Sequence, residues 1–149
     1  MSQSPALLKN LDQINPEISI ALVVGEFNFL YTSQLERATR EFLAEHGFYN
    51  VESYFVPGAF EIPAFAKKLT TQKSYSLIIT LGVVIRWNTP HFDYVCSESS
   101  RAIMDLTMSQ DTPIIFGILT CNTEEQVRER IGGGFALAGL NLLVELSKI

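Results

Sequence analysis

The run Leu77 to Ile85, LIITLGVVI, stops at Arg86 and passes through Trp87-Asn88 to Thr89-Pro90-His91. A continuous β-branched run bounded by turn residues reads as a strand buried on both faces, which is the mark of a parallel sheet. Thr89 as N-cap and Pro90 at the first helical position predict that a helix opens there. His91 then sits in the first turn, just beyond the carboxyl end of a central strand. In open α/β sheets that edge is where ligands are held.

The same punctuation recurs along the chain. Ile18 to Gly25, ISIALVVG, reads as a strand. Thr32 or Ser33 is predicted to cap a helix with Leu35, Ala38, Phe42 and Leu43 on one face, ending near His46-Gly47. Val51 to Val56 is a second strand, broken by Pro57-Gly58, and Ala59-Phe60-Glu61-Ile62-Pro63 leads into a second helix. The helix opened at Pro90 is predicted to run to about Ser109, before Ile114 to Thr120 forms the fourth strand. Thr123 then opens a helix whose Glu124 and Glu125 suit its positive end. Gly132-Gly133-Gly134 interrupts it, and Phe135 to Leu146 resumes as a largely apolar helix.

The alternation βαβαβαβα demands an α/β fold of three layers: a four-stranded parallel sheet with right-handed crossovers and helices on both faces. The last helix is apolar nearly all round, so another subunit is expected to supply part of its cover. Residues 1–17 are polar and aperiodic apart from Ala6-Leu7-Leu8 and read as an arm that is ordered only if a partner holds it, leaving 18–149 as one domain.

Composition narrows the function classes. Eleven basic against sixteen acidic residues give a net charge of −5, which opposes any general attraction for phosphate backbones and argues against nucleic acid. Cys96 and Cys121 have no CxxC spacing and no histidine nearby in sequence, so two reduced, buried thiols are expected and no metal site. The N-terminus lacks a signal pattern, and Asn141 and Glu145 break the last apolar stretch, so no membrane partner is expected and the location is read as cytoplasmic.

The loops at the carboxyl edge are Glu26-Phe27-Asn28, Pro57 to Glu61, Arg86 to His91 and Cys121-Asn122. They suit a planar polar ligand stacked on an aromatic ring and hydrogen-bonded by backbone. The residues alone leave each role open. His91 is a general acid/base or a local hydrogen-bonding residue; the free N–H groups around Asn88, Thr89 and His91 are a phosphate seat or a solvated cap. Arg86 is expected to pair with an acid. Phe27 and Phe60 are stacking platforms or core, Glu61 a ligand group or a cap, and Arg128 and Arg130 belong to a solvated face by default. GGGFALAG is not a dinucleotide fingerprint, because it follows a helix and Leu137 occupies the third glycine position.

Beyond these readings, Phe27-Asn28, VPGAFEIP (Val56 to Pro63), GVVIRxxTPHFDYV (Gly82 to Val95), PIIFGILT (Pro113 to Thr120) and ERxG (Glu129 to Gly132) resemble the 6,7-dimethyl-8-ribityllumazine synthase family in order and spacing. The resemblance implies a flavodoxin-like domain that self-associates into pentamers or multiples of pentamers. It also implies the penultimate step of riboflavin biosynthesis, in which a ribitylaminouracil condenses with a butanone phosphate, losing phosphate and water and using no cofactor. By that likeness Phe27 stacks on the pyrimidine ring, and Asn28 with Ala59, Phe60 and Glu61 binds the ribityl chain and uracil edge. Backbone at Val84 and Phe116 holds the ring, and Asn88 and Thr89 seat the phosphate with Arg130 reaching from a neighbouring subunit. His91 transfers the proton. Two departures from the family pattern stand out: Trp87-Asn88 follows the arginine, and Gly134 and Ala138 occupy the positions of two lysines.

Overall fold

The computed structural model describes residues 6–149. Four parallel strands run β1 (Ile20–Gly25), β2 (Val51–Val56), β3 (Leu77–Ile85) and β4 (Ile114–Cys121) in the order β2-β1-β3-β4. The helices are α1 (Phe29–Glu45), α2 (Ile62–Gln72), α3 (His91–Ser109), α4 (Glu124–Arg130) and α5 (Gly134–Leu146), with a single 3₁₀ turn at Ala59–Glu61 ahead of α2. Alternate strand residues face opposite layers. Leu22, Leu77, Ile79 and Leu81 pack under α1 and α5, whereas Ala21, Val23, Ile78 and Ile118 pack under α2 and α3. The expected three-layer α/β architecture is therefore the one the chain adopts. β1 and β3 are buried along nearly their whole length, as unbroken apolar runs between two helical layers must be.

Several local features depart from their sequence patterns. α1 begins at Phe29 instead of after Thr32 or Ser33, because the Asn28 carbonyl already accepts from Tyr31 N and Thr32 N at 2.9 and 3.0 Å. Thr32 is consequently buried inside the helix. α3 begins at His91, with Pro90 in helical conformation and no side chain capping it, so Thr89 does not act as its cap. The α4 start matches its pattern: Thr123 and Gln126 form a reciprocal capping box.

Of the N-terminal arm, residues 1–5 lie outside the described residues. The remainder is irregular but docks on its own chain. Lys9 N donates to Asn141 Oδ1 at 2.8 Å, Asn141 Nδ2 donates to Leu7 O at 3.0 Å, and Leu8, Leu11 and Ile14 pack against the α1/α5 core. Part of the cover that α5 needs thus comes from this chain itself, while Leu142 and Leu146 stay exposed.

Candidate active site

In the order β2-β1-β3-β4 the chain leaves β1 first toward β2 and later toward β3, so connections diverge at the carboxyl ends of β1 and β3. Such a switch point opens a crevice in a doubly wound sheet. Here the crevice is a cavity of about 730 Å³ walled by the loops after β1, β2 and β3.

Backbone contacts assemble the rim. Glu26 N donates to Val56 O at 2.7 Å and Phe27 N to Pro57 O at 2.9 Å, carrying the β1–β2 ladder past the strand ends. Gly25 allows this approach, since a Cβ there would lie 3.2 Å from the Gly58 carbonyl carbon and 3.3 Å from Ala59 N. Asn28 takes φ 61°, the left-handed conformation, and its Nδ2 donates to Val83 O at 2.8 Å. One side chain thus ties the β1 loop to the end of β3.

Phe27, Asn28, Ala59, Phe60, Glu61, Val84 and His91 all line the cavity, although they come from three separate loops and strand ends. Phe27 is 69% exposed and Phe60 56%, so neither is a core residue in the protomer. Glu61 precedes α2 without using its carboxylate as a cap, and its Oε1 lies beside Gly58. Four other candidates stand elsewhere. Asn88 and Thr89 are exposed in the loop before α3, outside the cavity wall. Phe116 lies on the edge strand β4, and Arg130 ends α4, its Nη1 donating to Gln126 O at 2.9 Å. Within one protomer neither reaches the cavity. The Cys121-Asn122 loop also stays outside, because Asn122 Oδ1 accepts from Arg86 Nε at 2.8 Å. Arg86 pairs with Asp93 at 3.4 Å, as expected of it, and its guanidinium stacks 4.5 Å over the Phe92 ring.

Residues beyond the candidates complete the wall. Val83 and Ile85 join Val84 because a strand end presents both its faces, and Val95 follows His91 by one helical turn. Trp87 also lines it, with its indole 5.6 Å from the His91 imidazole. The i, i+4 spacing would have pointed to Val95, and Trp87 was legible as the unusual residue in the carboxyl-edge loop between Arg86 and His91. Both cysteines are free; Cys121 is buried as expected, whereas Cys96 is only partly buried. Burial raises the thiol pKa of each above its ordinary value, and the Asp93 carboxylate adds to the effect at Cys96. Among the described residues no group of three metal-ligating side chains converges, and no helix is long and apolar enough to cross a membrane.

Fold and rim together define a doubly wound α/β protein with a cavity at its β1/β3 switch point, walled by aromatic rings and a few polar groups. A family model described as 6,7-dimethyl-8-ribityllumazine synthase matches residues 17–143. The chain belongs to that family, whose place is riboflavin biosynthesis.

Proposed function

We propose that the protein is an active 6,7-dimethyl-8-ribityllumazine synthase, a transferase in which residues 18–149 form the catalytic domain and residues 1–17 an arm. It condenses 5-amino-6-(D-ribitylamino)uracil with 3,4-dihydroxy-2-butanone 4-phosphate and needs no cofactor. The observation that carries the reading is the convergence of Phe27, Asn28, Ala59, Phe60, Glu61, Val84 and His91 on one cavity. Phe27 stacks on the pyrimidine. Asn28, the 59–61 turn and the Val84 backbone hold the uracil edge and ribityl chain. Amine attack, phosphate elimination and ring closure follow once the reactants are aligned, so positioning supplies most of the rate. His91 moves the proton, a contribution of about 10²–10⁴.

Asn88 and Thr89 seat the phosphate from the loop just before His91, Arg130 reaches it from a neighbouring subunit, and backbone at Phe116 helps to hold the ring. Self-association into pentamers or their multiples supplies the missing wall. One observation favours a second reading, a non-catalytic flavin- or lumazine-binding or shell-forming homologue: Gly134 and Ala138 offer no cationic side chain where the family pattern has lysines.

Incubating the purified protein with both substrates and following lumazine absorbance decides between them. Product formation that falls about 10²–10⁴-fold in His91→Gln supports the enzyme. Binding of lumazine with no turnover of the two substrates supports the second reading and rejects the first.

A further inference from the structure

We propose that Trp87 is a positioning residue for His91, its indole holding the imidazole in place against the cavity; the inference rests on the enzymatic reading above. His91 is an exposed side chain at the first turn of α3, with two rotatable bonds and no cap to restrain the turn. A proton shuttle works only from a narrow range of positions, so an imidazole free to change rotamer spends much of its time unproductive. Trp87 restrains it. The two rings lie 5.6 Å apart at 43°.

Trp87 can do this because it is itself anchored. Its ring meets Phe92 edge-on at 6.1 Å and 77°, and Phe92 is buried, with only 5% of its surface accessible. The Arg86 guanidinium sits over Phe92 at 4.5 Å and is tethered by Asn122 and Asp93. A stack running Asn122, Arg86, Phe92, Trp87, His91 therefore links the end of β4 to the imidazole. Trp87 keeps 39% of its surface accessible and lines the cavity, so the restraint is applied from within the site. Glu61 shares the cavity with His91, while Arg86 and Asp93 pair with each other at 3.4 Å.

The test exploits composition. Trp87 is the one tryptophan, and the only other histidine, His46, packs on Phe42 at 4.7 Å. Emission excited beyond the tyrosine absorption band therefore reports this ring alone. An imidazole packed on the indole shields it from a collisional quencher such as acrylamide. A larger acrylamide quenching constant in His91→Gln than in the wild type is expected. Trp87→Ala is expected to lower kcat about tenfold while leaving KM for both substrates within about twofold, and Trp87→Phe to recover most of the loss. An equal acrylamide quenching constant in His91→Gln, or Trp87→Ala turning over at the wild-type rate or changing KM alone, overturns the proposal. Should Trp87→Ala not fold, Trp87→Phe with a halved or unchanged kcat supports it and one below a tenth overturns it. A wild-type protein without turnover refutes the enzymatic reading instead, and the quenching comparison still decides whether the two rings act as a pair.

Discussion

Asn28 shows how much a single residue can hold at this rim. Its backbone occupies the left-handed region, which asparagine tolerates better than any β-carbon-bearing apolar residue, and its amide reaches the Val83 carbonyl. Asn28→Ala loses the hydrogen bond and keeps the strain, so destabilisation by about 2–3 kcal/mol is expected. Asn28→Gly loses only the bond and should fall by about 1 kcal/mol. Urea denaturation midpoints check the order; alanine proving as stable as glycine would show that the backbone conformation is not the constraint. At this scale the rim candidates Phe27, Glu61 and His91 were legible, because each directly follows a strand pattern. The left-handed Asn28 was not, since its conformation depends on Val83, distant in sequence.

At the scale of elements, two glycines make opposite predictions. A Cβ on Gly117 would lie 2.2 Å from Thr80 O and 3.0 Å from Leu81 Cδ2, so Gly117→Ala must push β4 away from β3. A loss of about 1–3 kcal/mol is expected. Gly134, at the start of α5, has open space around it, so Gly134→Ala should be neutral or stabilise by up to about 1 kcal/mol. Thermal denaturation of the pair checks this, and equal midpoints would contradict the packing described for β4. The thiols give a second measurement. Burial first, and the Asp93 charge at Cys96, keep both protonated at neutral pH and above. Because folding raises the thiol pKa, the folded chain keeps a proton where the unfolded chain has lost it; stability is therefore fully present below the unfolded value of about 8.5 and falls as the unfolded thiols ionise at higher pH. Disulfide reagents at pH 8 should accordingly label Cys121 far more slowly, and partly buried Cys96 more slowly, in the folded than in the denatured protein; equal rates at Cys121 would refute its burial.

Across the whole molecule, the decisive question is whether each site is shared. If Arg130 completes a neighbour's cavity, co-expressing His91→Gln and Arg130→Ala protomers should restore about a quarter of wild-type activity, the chance that an intact cavity meets an intact arginine. Activity no higher than either variant alone would place Arg130 outside the site. By itself the sequence determined what neighbours along the chain decide: strand and helix periods, the Thr123 capping box, the turn at Gly47 and the alternation that makes the sheet parallel. Only the tertiary structure decided the order β2-β1-β3-β4, the cavity at its switch point, the docking of the arm on α5 and the Trp87–His91 pair. The physical reason is range. Backbone preference and hydrophobic period act over a few residues, whereas a cavity is made by side chains that meet only after the chain has closed on itself.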